Sequence, residues 1–168
     1  MKHVLTALAA AALAAPLAAQ QRPAGCTAPE HRHFDFWVGD WTVTDSAGTT
    51  AYGTNLVTSE ENGCLVHEHW RAGGGNTGQS FNFYEPRQGT WSQVWVASTG
   101  GVLRLTGRLE GQSMTLENEL PGPNGGKIRN RIVWSPQPDG RVRQQWSQSQ
   151  DDGATWRTTF DGWYRRKS

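Results

Sequence analysis

The residues of this 168-residue chain best placed to do chemistry are two His-x-His pairs, one glutamate and two Arg-x-Arg pairs. His67 and His69 flank Glu68, His31 and His33 lie near the start, and Arg129/Arg131 and Arg141/Arg143 lie toward the end. On a strand, alternate residues project from one face about 7 Å apart, so His67 and His69 can share one zinc or copper ion if a third ligand arrives from elsewhere. Glu68 then points the opposite way. His31 and His33 fall in a predicted helix, where a spacing of two does not share a face. A metal- or haem-binding protein using these histidines is one alternative, and plainly exposed histidines are the other. A second alternative is a small enzyme with Glu68 as acid or base and Tyr84 or an arginine as its partner. The arginine pairs allow Arg131 and Arg143 to converge inside a fold and clamp a carboxylate or phosphate. They allow equally a solvated face with Glu117 and Glu119 as counter-charges. No Gly-x-Ser-x-Gly nucleophile motif occurs.

Residues 1–19 are expected to be removed. Lys2 and His3 precede an apolar run from Val4 to Leu17, and Leu17-Ala18-Ala19 offers a small-residue cleavage site before Gln20. That is the pattern of a secretory signal, too short to span a membrane. Without Lys2, the 16 Lys+Arg become 15 against 15 Asp+Glu, which indicates neither a nucleic-acid nor an anionic-membrane partner. Residues 20–168 suit one domain, periplasmic or secreted. Cys26 and Cys64 are then an even pair in an oxidising compartment, where a disulfide is the default. Arg22-Pro23-Ala24-Gly25 lacks the aliphatic residue expected three positions before a lipidated cysteine, so bridging is preferred to lipidation.

From Trp37 onward, apolar and polar residues alternate in short runs separated by Gly, Pro, Asn and Asp. The pattern predicts strands near 37–45, 50–58, 64–71, 78–85, 90–98, 102–109, 112–120, 127–135, 141–149 and 155–166. Thr27-Ala28-Pro29-Glu30 has capping-box spacing and predicts one short helix over 28–36, lying across one barrel mouth. Such short connections leave an antiparallel meander, which closes into an up-and-down barrel of about ten strands, with a sandwich as the competing solution. Ser149-Gln150-Asp151-Asp152-Gly153-Ala154-Thr155-Trp156 fits the Asp-box pattern of sialidase-type propellers, but a single copy implies a hairpin turn between the last two strands.

Strand parity then proposes an interior. Glu68 and Trp70 share a face, as do Ser80, Asn82 and Tyr84, and as do Trp91, Gln93 and Trp95, with Phe81 and Phe83 opposite. Aromatics mixed with neutral polar groups describe a pocket with a few orienting hydrogen bonds. Nine tryptophans in 168 residues also fit a packed core, so cavity and core both stand.

Phe34-Asp35-Phe36-Trp37-Val38-Gly39-Asp40-Trp41, Gly63-Cys64, Glu68-x-Trp70, Ser80-x-Asn82-x-Tyr84, Trp91-x-Gln93-x-Trp95, Asp151-Asp152-Gly153-x-Thr155-Trp156 and Phe160-Asp161-Gly162-x-Tyr164 together resemble an uncharacterised family of secreted bacterial lipocalin-like proteins. The resemblance implies a calycin-type barrel whose Gly-x-Trp opening plugs one end, and it brings no activity. The chain is similar more distantly to nitrobindin-like barrels, which hold haem through a histidine, although no position here matches that ligand. The expectation is an exported barrel that binds a small, partly apolar molecule with a polar or anionic group, with no cofactor. Glu68, Trp70, Ser80, Asn82, Tyr84, Trp91, Gln93, Trp95, Arg131 and Arg143 are the expected ligand contacts.

Overall fold

The computed structural model describes residues 25–167; the expected signal segment, residues 1–19, lies outside them. Ten strands follow one another: β1 (Gly39–Thr44), β2 (Ala51–Glu60), β3 (Leu65–Ala72), β4 (Thr77–Glu85), β5 (Thr90–Ala97), β6 (Val102–Glu110), β7 (Ser113–Pro121), β8 (Lys127–Pro136), β9 (Val142–Ser149) and β10 (Arg157–Arg166). Each pairs antiparallel with its neighbours in sequence, and β1 closes on β10 with Trp41 opposite Arg166 and Thr44 opposite Trp163. The all-β up-and-down barrel predicted from alternation is therefore the fold, and a sandwich is not. Every one of the nine connections holds a glycine at positive φ, from Gly48 between β1 and β2 to Gly153 between β9 and β10, as tight hairpin turns require.

One end of the barrel is sealed. The short helix predicted over 28–36 lies across this end, wound as two turns of 3-10 helix, Pro29–Arg32 and Asp35–Trp37. Thr27 does not cap it; Ala28 holds that position and makes no side-chain cap bond. Packing explains the tighter winding. His31, Phe34 and Trp37 are all buried, and a spacing of three stacks them on one side only when there are three residues per turn. Phe34 stacks on Trp37 (ring centroids 4.9 Å apart) and meets Trp91 and Trp134 edge-on. Trp41, fully buried, donates its indole N–H to Trp37 O at 2.9 Å.

Gly39 lies against the Trp41 indole and the Arg166 guanidinium, and any Cβ there would collide with both. Arg166 stacks over Trp41 and donates to Val38 O, which fixes the chain where it enters β1. The expected disulfide is present between Cys26 and Cys64. It fastens the segment before the cap to the β2–β3 connection, where Arg32 also donates to Cys26 O and Gly63 O. Such a bond is compatible with an extracytoplasmic location.

The outer wall carries ion pairs: Arg131 with Glu117, Arg129 and Lys127 with Glu119, and Arg143 with Asp161. No helix of the described residues is long and apolar enough to cross a membrane. The Asp-box stretch forms the β9–β10 turn as predicted: Asp151 accepts from the backbone and hydroxyl of Thr155, and Trp156 donates to Gly153 O.

Candidate functional site

At the end opposite the cap the barrel stays open. A cavity of about 840 Å³ enters there and runs inward to Glu68. Its walls are aromatic, with Tyr52 from β2, Trp70 from β3, Trp95 from β5, Trp146 from β9 and Phe160 from β10. Gly73 and Gly74 of the β3–β4 turn lie at the mouth. Trp95 lies flat over Gly78, where a Cβ would run into its ring, so this glycine sets how far the indole recedes from the lumen.

The inner end is a polar network in which Asn55 Oδ1 is left without a partner. Burial takes Glu68 almost wholly out of water, and its neighbours replace the lost hydration. Asn55 Nδ2 donates to Oε1 at 2.7 Å and Ser80 Oγ to Oε2 at 2.6 Å. Asn82 Nδ2 donates to Ser80 Oγ (2.9 Å), and Gln93 Nε2 to Asn82 Oδ1 (2.7 Å), which carries the network from β2 to β5. Burial pushes the Glu68 carboxyl up to about 7 against the pull of the Ser80 and Asn55 hydrogen bonds. Across the lumen the Tyr164 hydroxyl donates to Gln144 Oε1, and burial beside Glu68 holds its pKa well above the usual phenol range. Trp146 donates to Asn130 Oδ1 at 2.9 Å.

The structure sorts the expected contacts by face and by depth. Glu68, Trp70, Gln93 and Trp95 line the cavity. Ser80 and Asn82 face inward but lie behind Glu68 as its supports, fully buried. Tyr84 and Trp91 face inward at the sealed end: Tyr84 packs edge-on against His31, and Trp91 donates to Glu30 O. They belong to the plug. Arg131 and Arg143 do not converge inside. Asn130 and Ile132, on either side of Arg131, are buried and Gln144 faces the lumen, so both arginines point outward. There Arg131 pairs with Glu117 and stacks on Trp156, and Arg143 forks onto Asp161 at 2.8 and 2.6 Å and lies over Trp163. The counter-charge arrangement is the one observed.

Sequence parity missed Tyr52, Gln144, Trp146, Phe160 and Tyr164, which complete the cavity wall. The alternation Gln144-x-Trp146 and Phe160-x-Gly162-x-Tyr164 was the signal for them. On β10 it is interrupted by a register shift between Thr158 and Phe160, so counting along the strand loses its phase.

His67 and His69 face outward, as parity predicts, away from Glu68. Neither can share a proton with the buried carboxyl, and Tyr84 packs elsewhere under the cap. No model of a known protein family matches this chain, and no curated protein matches it.

Proposed function

We propose that this chain is an exported, lipocalin-like barrel that binds a small, partly apolar molecule inside its open end. The observation that carries this reading is the one-ended cavity of about 840 Å³, with aromatic walls and a short polar row at its inner end. That volume is in the range that holds a drug-sized ligand. Tyr52, Trp70, Trp95, Trp146 and Phe160 supply flat apolar surface, and Glu68, Gln93, Gln144 and Tyr164 supply the groups that orient one polar end.

The polar end is neutral or cationic. An anionic group was expected on the strength of convergent arginines, but Arg131 and Arg143 are engaged outside. Among the described residues lining the cavity, the acidic side chain that faces its interior is Glu68, since Asp161 is held on the outer wall by Arg143. A carboxylate or phosphate pushed toward Glu68 finds no cation to clamp it, and meets repulsion once that carboxyl ionises. Export is supported by the disulfide and by the expected signal segment.

A neutral fluorescent probe, N-phenyl-1-naphthylamine, tests the reading through its own emission. It should bind the unmodified chain, and Trp70→Ala and Trp95→Ala should each weaken binding about tenfold or more, since each removes a large apolar contact. Phe81→Ala, on the outer face, should leave the affinity unchanged. Equal affinities in all four proteins would move the site out of the barrel, and no probe binding at all would reject the container.

A further inference from the structure

The outer wall opposite Glu68 carries a second cluster whose parts come from three strands. His67 and His69 lie on β3 with ring centroids 4.0 Å apart. Thr58 of β2 is the cross-strand partner of His67, and Glu60, two residues further, ends β2 on the same face. The ligand atoms of Glu60, His67 and His69 all lie within 4.8 Å of one another. Gln79 of β4, opposite His69, reaches His67 from the other side. Glu60 thus places a third donor beside the pair, which His-x-His spacing alone left open.

We propose that Glu60, His67 and His69 form a binding site for a divalent transition ion of the zinc type on the outside of the barrel. Two imidazoles and a carboxylate are a donor set that zinc prefers, with a remaining position left for water. The side chains around the three ligands hold them as such a site requires. Both Glu60 oxygens lie 3.2 Å from His67 Nδ1, and Gln79 Oε1 lies 3.1 Å from His67 Nε2. Both ring nitrogens therefore face oxygen acceptors, whereas a neutral imidazole has one N–H to give. An ion at Nδ1, with the Nε2–H kept on Gln79, meets both demands, and that outer hydrogen bond is how metal-bound histidines are commonly oriented.

Thr58 Oγ1 donates to Glu60 Oε1 at 2.6 Å, and the Phe81 ring stacks on His67 at 4.5 Å, nearly parallel. These contacts fix the carboxylate and one ring on strands inside the closed sheet, which is the rigid support a metal site needs. Zinc–ligand bonds of about 2.0–2.1 Å place ligand atoms about 3.3 Å apart in a tetrahedron, so small side-chain rotations close the set around an ion. Glu60 is 40% exposed, which leaves a way in for the ion and its water. Arg71, the next outward position on β3, is the cationic neighbour that opposes binding.

Zinc chloride titrated into the untagged chain, by calorimetry and by competition with a chromophoric chelator, tests the site. The expected result is one ion per chain. His67→Ala and His69→Ala should each weaken binding more than tenfold, Glu60→Gln about tenfold, and Gln79→Ala less while keeping the stoichiometry. His33→Ala should change nothing. Should a histidine variant fail to fold, proton–nitrogen correlation spectra of the unmodified chain decide the matter: zinc should move the ring nitrogens of His67 and His69 and leave those of His33. Zinc binding that survives loss of both strand histidines, no saturable binding, or unmoved His67 and His69 ring nitrogens would each overturn the proposal.

Discussion

Replacing Glu68 by glutamine should remove a pH dependence of stability that the burial of this one carboxyl creates. Its pKa rises from the usual 4.5 to about 7 in the folded chain. Between those values the folded protein holds more protons than the unfolded one, so stability is greatest at the acid side and falls as pH rises through the window. The gap of about 2.5 pH units, at 1.36 kcal/mol each, sets a ceiling of about 3 kcal/mol. About 2–3 kcal/mol of it falls between pH 5 and pH 8.

Glutamine keeps the shape and the partners. Its carbonyl can accept from Ser80, and its amide can donate to Asn55 Oδ1 once that side chain turns, an oxygen that has no partner at present. Urea unfolding followed by tryptophan emission, run at pH 5 and pH 8 on both proteins, reads the difference. His69, whose pKa is lowered mainly by burial, tilts the same window the opposite way, but it is present in both proteins and cancels. Asp45 and Asp151, lowered to about 2, act only in acid below this range. The variant should gain on the parent by about 2–3 kcal/mol from pH 5 to pH 8. A constant offset between the two proteins at both pH values would refute the placement of Glu68 as a buried carboxyl.

Two further outcomes check the sealed end. Thiol titration of the unfolded, unreduced protein should find no free thiol, and replacing both Cys26 and Cys64 by serine should lower stability by about 4 kcal/mol for a cross-link spanning 38 residues; two titratable thiols would contradict the bond. Trp41→Ala should cost about 3–5 kcal/mol in urea unfolding, because the indole is fully buried between Gly39, Trp37 and Tyr164; a loss near zero would mean that Trp41 does not plug the barrel.

The tryptophans show which parts of this molecule were legible in the sequence. Alternation along each strand told inward from outward at Trp70, Trp91 and Trp95, because period two is a property of the backbone itself. It could not tell depth. Trp91 shares a face with Trp95 yet lies at the sealed end under Phe34, while Trp95 lines the cavity. Depth depends on how far each strand is staggered against the next, which hairpin geometry sets and parity does not. The same blindness placed Tyr84 among the ligand contacts.

The arginines failed for a different reason. Arg131 and Arg143 share a wall, but which wall depends on whether Asn130 or Arg131 is buried, and the neutral amide is the cheaper group to bury. Glu60 joined the histidines only when the β2–β3 register put Thr58 opposite His67. The 3-10 cap was legible in hindsight as the spacing of three among His31, Phe34 and Trp37, which the capping-box signal obscured.

The division of the barrel into a sealed and an open end separates two kinds of constraint along its axis. The cap, the disulfide and the Trp41 plug all act at one rim, whereas the turns after β1, β3, β5, β7 and β9 make up the other. Substitutions in those five turns leave the cross-linked rim untouched, and because the sheet has no free edge they expose no strand to another chain. The open rim can therefore be rebuilt one hairpin at a time, for natural divergence or for a chosen guest, while the opposite rim keeps the scaffold's shape.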